Sequence, residues 1–128
     1  MRVINPGGNP EISVFSEASP VGGTCGLALQ RDGLPPSVAK IDMDPRYYTQ
    51  KVMIDTHRDG QLYEAVTSLL SLGVLRPGDV ALDVGAHVGY FSILFRLAVG
   101  EQGRVFAFEP LPKTYQRLLQ NVLKNGFL

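Results

Sequence analysis

Apolar and polar positions follow a clear period only in the second half of the chain. From Gln61, Leu62, Val66, Leu69 and Leu70 fall on one helical face with Glu64 and Ser68 off it. This predicts a helix that stops near Gly73, followed by a turn at Pro77-Gly78. Asp79-Val80-Ala81-Leu82-Asp83-Val84 is a short apolar run of strand type, and Gly85 to Gly89 is a tight loop. Tyr90 to Val99 predicts a second helix with Phe91, Leu94, Phe95 and Ala98 inward. Gly100 to Gly103 is a turn, and Arg104-Val105-Phe106-Ala107-Phe108-Glu109 is a second strand. Pro112 suits the first turn of a third helix, whose apolar stripe is Tyr115, Leu118, Leu119, Val122 and Leu123 and whose end is Asn125-Gly126. Strands alternating with helices imply an α/β fold with a parallel sheet of Rossmann-like type.

The first half reads differently. Residues 1–36 hold six glycines and five prolines, a density that disfavours helices and interior strands. One short strand is expected at Glu11 to Phe15, where Ile12 and Val14 alternate with polar neighbours; the rest reads as loop or arm. Ser37 to Asp42 and Lys51-Val52-Met53-Ile54-Asp55 are strand candidates, and Arg58-Asp59-Gly60 is a turn. The chain thus divides into a Gly/Pro-rich arm over 1–60 and an α/β segment over 61–128.

Composition narrows the function. Twelve Lys+Arg balance twelve Asp+Glu, so no basic excess points to nucleic acid or to an anionic membrane surface. Hydrophobic residues at 45% and charged residues at 19% are those of one globular domain. The apolar runs are too short to span a membrane, and the first residues lack a signal-peptide core, so a cytoplasmic protein is the default expectation. Cys25 is the one cysteine; it excludes an intrachain disulfide, and no base is visibly paired with it. His57 has no second His or Cys at metal-ligand spacing and reads as a solvated residue beside the turn, so no metal site is expected.

The chemistry concentrates at Asp83-Val84-Gly85-Ala86-His87-Val88-Gly89, where a strand meets a helix. In open parallel sheets ligands bind at the carboxyl ends of strands. Glycines there allow close approach and positive φ, and a helix N-terminus adds N–H donors. Twenty residues after Gly89 stands Glu109, at the end of the next strand, where a carboxylate can accept from both hydroxyls of a ribose. Each has a plainer rival: Asp83 as a satisfier of loop amides, Glu109 as a solvated strand end. Jointly they favour an adenosine-type cofactor. The dinucleotide fingerprint Gly-x-Gly-x-x-Gly is not met, since its second and third glycines would fall on His87 and Tyr90. His87 suits a left-handed turn position better than it suits a general base.

Asp83-Val84-Gly85-Ala86-His87-Val88-Gly89-Tyr90-Phe91-Ser92, followed by Ala107-Phe108-Glu109-Pro110, resembles the FkbM-type methyltransferases of class I. Tyr63-Glu64, Arg76-Pro77-Gly78-Asp79, Asn121 and Asn125-Gly126 suit the same pattern, which covers about residues 55–128. His87 stands where the general class I motif, acidic-x-Gly-x-Gly-x-Gly, has its middle glycine and where this family usually has Asn. The resemblance implies S-adenosylmethionine as cofactor. By it, Gly85, Ala86, His87 and Gly89 would line the methionine end through backbone contacts. Asp83 would receive the cofactor's amino group, directly or through water. Glu109 would hold the ribose hydroxyls, Pro110 and Leu111 would flank the adenine, and Tyr90 and Phe91 would close the pocket wall. Glu64 is a weaker candidate for the methionine end.

The resemblance further implies oxygen methylation of a sugar or natural-product hydroxyl, with a small molecule or glycan as acceptor. It identifies no catalytic residue, because acceptor-side residues follow the family's fourth strand. The family fold has about seven strands, so the sequence reads as its N-terminal part, truncated after the second core strand and third helix. Two rival functions remain open: a non-catalytic or incomplete methyltransferase-like module, and a nicotinamide oxidoreductase domain. Exposed edges on so small a sheet predict self-association.

Overall fold

The computed structural model describes residues 2–4, 10–20, 22–31 and 35–128. It divides the chain into two compact units, residues 1–69 and 70–128.

The first unit is built on an antiparallel sheet of β1 (Arg2–Ile4), β2 (Glu11–Glu17), β3 (Gly23–Gln30) and β4 (Ser37–Met43), in that order. Alternation drives it. Ile12, Val14, Cys25, Leu27, Leu29, Ala39, Ile41 and Met43 are buried, and the register sets Val14 beside Leu27 and Cys25 beside Ile41. Residues 48–58 form helix α1, whose buried Gln50, Met53, Ile54 and His57 recur at helical spacing. It lies against β2, β3 and β4. Gly23 is small because Ile54 occupies the space: a Cβ there would stand 2.8 Å from Ile54 Cδ1.

Several expectations change here. The Gly/Pro-rich arm is a folded sheet. Its described prolines, Pro10, Pro20, Pro35 and Pro36, flank the strands and leave their interiors intact. Lys51 to Asp55 is helix, not strand. His57 is buried, not solvated, and hydrogen-bonds the backbone of Phe15 and Gly26. Cys25 is buried too, its Sγ 3.5 Å from Met43 Sδ, and burial pushes the thiol up to about 12, well away from a nucleophile's range.

Helix α2 (Ala65–Val74) crosses the division between the units. Its buried positions are Ser68 and Leu72; of the expected face Leu62 is buried and Leu69 half-buried, whereas Val66 and Leu70 are exposed. The Ser68 hydroxyl turns inward by donating to the Tyr63 carbonyl at 2.8 Å.

The second unit follows the predicted order. Strand β5 (Val80–Val84) pairs in parallel with β6 (Arg104–Phe108), joined through helix α3 (Tyr90–Val99); helix α4 (Pro112–Lys124) follows. Both strands contact α3. On α3 the core is carried by Ile93, Leu94, Leu97 and Ala98, with Phe91 and Phe95 only half-buried. On α4 it is carried by Leu118 and Asn121, while Tyr115 and Leu123 are exposed. Among the described residues no helix is long and apolar enough to cross a membrane.

Candidate cofactor site

The parallel register sets the site. Asp83 lies opposite Ala107 and Val84 opposite Phe108, so both strands end at one level and their following loops meet. Three residues of the first loop take left-handed backbone: Gly85 at φ 82°, His87 at φ 51° and Gly89 at φ 97°. Gly85 opens on free space, so a ligand can approach its backbone. Gly89 meets protein instead: a Cβ there would lie 2.7 Å from Leu118 Cδ1. His87 occupies a position where its residue type is tolerated.

The loop is held by its own donors. Gly85 and Ala86 both donate backbone N–H to the Phe108 carbonyl, at 2.8 and 3.0 Å. Gly89 N–H donates to the Ala86 carbonyl at 2.8 Å. His87 N–H donates to Glu109 Oε2 at 2.9 Å, and Leu111 N–H donates to Glu109 Oε1 at 2.9 Å. Glu109 therefore ties the two loops together. A carboxylate offers about four lone-pair sites, so one on each oxygen remains for a ligand hydroxyl. The plain rival for Glu109, a solvated strand end, does not describe a group bonded in this way.

Four loop donors, at 85, 86, 87 and 89, are committed within the protein. The expected supply of backbone donors for a ligand is thus largely used. What the loop offers a ligand is carbonyl oxygen and Cα surface, which suits a cationic amino group rather than a phosphate. Asp83 adds to this. It is nearly buried, and its Oδ2 accepts from the Ser92 hydroxyl at 2.5 Å, which fixes the carboxylate's orientation.

Beside Glu109 opens a cleft of about 610 Å³ lined by Val84, Gly85, Ala107, Phe108, Glu109, Pro110 and Tyr115. Its size lies within the range of small-ligand sites, about 300–1,000 Å³. Pro110 lies on it, and Leu111 contributes its backbone N–H to Glu109. Tyr90 does not line it, being buried at 2% exposure, and the Phe91 ring packs on Tyr90 and Phe95. Tyr115 lines it instead. Helical spacing alone puts Tyr115 on the core stripe; its position one helical turn beyond Leu111 is the signal that points it to the cleft. Glu64 is exposed at the lead-in to α2.

The donor set fits S-adenosylmethionine: a ribose acceptor, a loop with carbonyls for an ammonium group, and an apolar cleft for a flat ring. Residues 83–126 match the family model described as the methyltransferase FkbM domain. The chain is also similar to protein-L-isoaspartate O-methyltransferase of Aeropyrum pernix, 39% identical over 62 residues, which is 48% of this chain and 24% of that protein. Protein-L-isoaspartate O-methyltransferase 2 of Arabidopsis thaliana is 39% identical over 51 residues, 40% of this chain and 16% of that protein. The matched segment spans a quarter or less of these curated relatives.

Proposed function

We propose that the chain carries the cofactor-binding segment of an S-adenosylmethionine-dependent methyltransferase that methylates a hydroxyl oxygen of a sugar or natural product. One observation supports this reading most: Glu109, at the tip of β6, keeps two loop amides and still presents lone pairs to a cleft of cofactor size. When bound, the cofactor supplies a methyl group activated on a sulfonium. The residues do the positioning. Glu109 receives the ribose hydroxyls, Asp83 and the loop carbonyls receive the methionine ammonium, and Phe108, Pro110 and Tyr115 flank the base. Displacement at a sulfonium needs mainly this alignment of donor and acceptor. Oxygen as the acceptor atom is carried over from the names of the two relatives.

The nicotinamide reading is disfavoured, because a pyrophosphate needs loop N–H donors and four of those are committed. A non-catalytic module is the second reading, and the exposed apolar face of the β5–β6 sheet favours it. Incubating the chain with methyl-labelled S-adenosylmethionine and a panel of hydroxylated acceptors separates the two. Label recovered as an alkali-stable methyl ether supports the enzyme. Cofactor binding with no transfer to any acceptor supports the module.

A further inference from the structure

Val88 stands one residue ahead of Gly89, which caps α3. The helix ladder reaches back to the Gly89 carbonyl, which accepts from Ile93 N–H at 2.9 Å. The Val88 carbonyl lies just outside that ladder. Val88 is 1% exposed, so this oxygen sits where water is scarce, and a buried carbonyl without a donor is costly. The donor comes from α4. Asn121 Nδ2 donates to Val88 O at 2.9 Å, across 33 residues of sequence, and Asn121 is itself 1% exposed. One turn earlier Leu118 closes over Gly89. One turn later the Asn125 amide donates to the Asn121 carbonyl at 2.7 Å. On the stripe where α4 buries Leu118, an apolar residue at 121 would serve packing equally well. Only a neutral side chain with an N–H of this reach also serves the loop.

We propose that Asn121 is the positioning residue of the cofactor loop. Through the Val88 carbonyl it fixes the left-handed turn at Gly89 and, with it, the His87 amide that Glu109 accepts. The consequence for cofactor affinity rests on the function proposed above; the consequence for loop order does not.

The test uses the full 128-residue chain. In Asn121→Asp a carboxylate faces the Val88 carbonyl at about pH 8 and repels it; burial raises the pKa of such a group, so near pH 5.5 its protonated O–H can donate in the amide's place. The affinity of this variant for S-adenosylhomocysteine, relative to wild type at the same pH, should be about tenfold weaker at the higher pH. It should recover most of that factor at the lower pH. The control Gln120→Glu, an added carboxylate on the exposed face of α4, should show a ratio that does not change with pH.

The ligand-free arm uses Asn121→Ser, whose hydroxyl is too short to reach. Amide exchange at His87 and Gly89 should accelerate at least about fivefold, with the β5 amides unchanged. Wild-type-like affinity of Asn121→Asp at the higher pH would overturn the role in binding. Unchanged exchange in Asn121→Ser would overturn the latch itself. If wild type does not bind S-adenosylhomocysteine, the cofactor reading falls, and the exchange comparison still decides the latch.

Discussion

Glu109 combines two tasks in one carboxylate: it accepts from His87 and Leu111, and it faces the cleft. Glu109→Ala should therefore weaken S-adenosylhomocysteine binding by about 1.5–3 kcal/mol through lost charge-assisted bonds and should also loosen both loops. Glu109→Gln keeps one acceptor and should lose less; titration of the three proteins by calorimetry checks the order. His57 gives a prediction of another kind. Burial lowers its pKa to about 4 from an ordinary 6.5. The unfolded chain then binds the proton more readily, so this group costs stability as pH falls below 6.5, reaching a full penalty of about 3 kcal/mol near pH 4. Its slope fades over about one pH unit above 6.5. Denaturant melts of wild type and His57→Phe from pH 7.5 to 4.5 should show the slope only in the wild type. Of these two residues, the placement of Glu109 at a strand end beside the glycine loop was legible from its distance along the chain. The burial of His57 was not, because its neighbours Lys51 to Asp55 read as a strand and concealed the helix that buries it.

At the scale of elements, β5, α3, β6 and α4 follow the predicted order because each carries one period and a terminal signal: Pro112 at the start of α4, Gly126 at φ 67° past its end. The faces were less legible than the elements. Spacing puts Tyr115 on the apolar stripe of α4, yet it lines the cleft. In the first unit, a Gly and Pro density over 36 residues hid their placement: Pro10, Pro20, Pro35 and Pro36 flank the strands, and Gly26 sits inside β3 under the Phe15 ring. On α1, Val52 beside Met53 and Ile54 imitates a strand, while Gln50, Met53, Ile54 and His57 hold the helical stripe. Ile54 fills the space above Gly23, so Ile54→Ala should cost about 2–4 kcal/mol in a chemical melt. Gly89→Ala places a Cβ against Leu118 at a left-handed φ. It should destabilise by at least about 1 kcal/mol and weaken cofactor binding in parallel.

At the scale of the molecule, the β5–β6 sheet leaves one face uncovered. Val80, Leu82, Val84, Phe106 and Phe108 are all 48–81% exposed. The register places Leu82 beside Phe106 and Val84 beside Phe108, so they form one continuous patch. Such a patch on a protein in solution favours association. The chain should self-associate with rising concentration, and Leu82→Lys with Phe106→Lys should shift it towards monomer in light scattering. Under the proposed function, the loop of 85–89 and Glu109 hold an adenosyl sulfonium cofactor and not a dinucleotide. Calorimetric titration of the chain with S-adenosylhomocysteine, with NAD as control, tests it most directly. The expected result is saturable binding of S-adenosylhomocysteine that weakens in Glu109→Ala, and no heat with NAD. Binding of NAD, or S-adenosylhomocysteine binding that Glu109→Ala leaves unchanged, would contradict it.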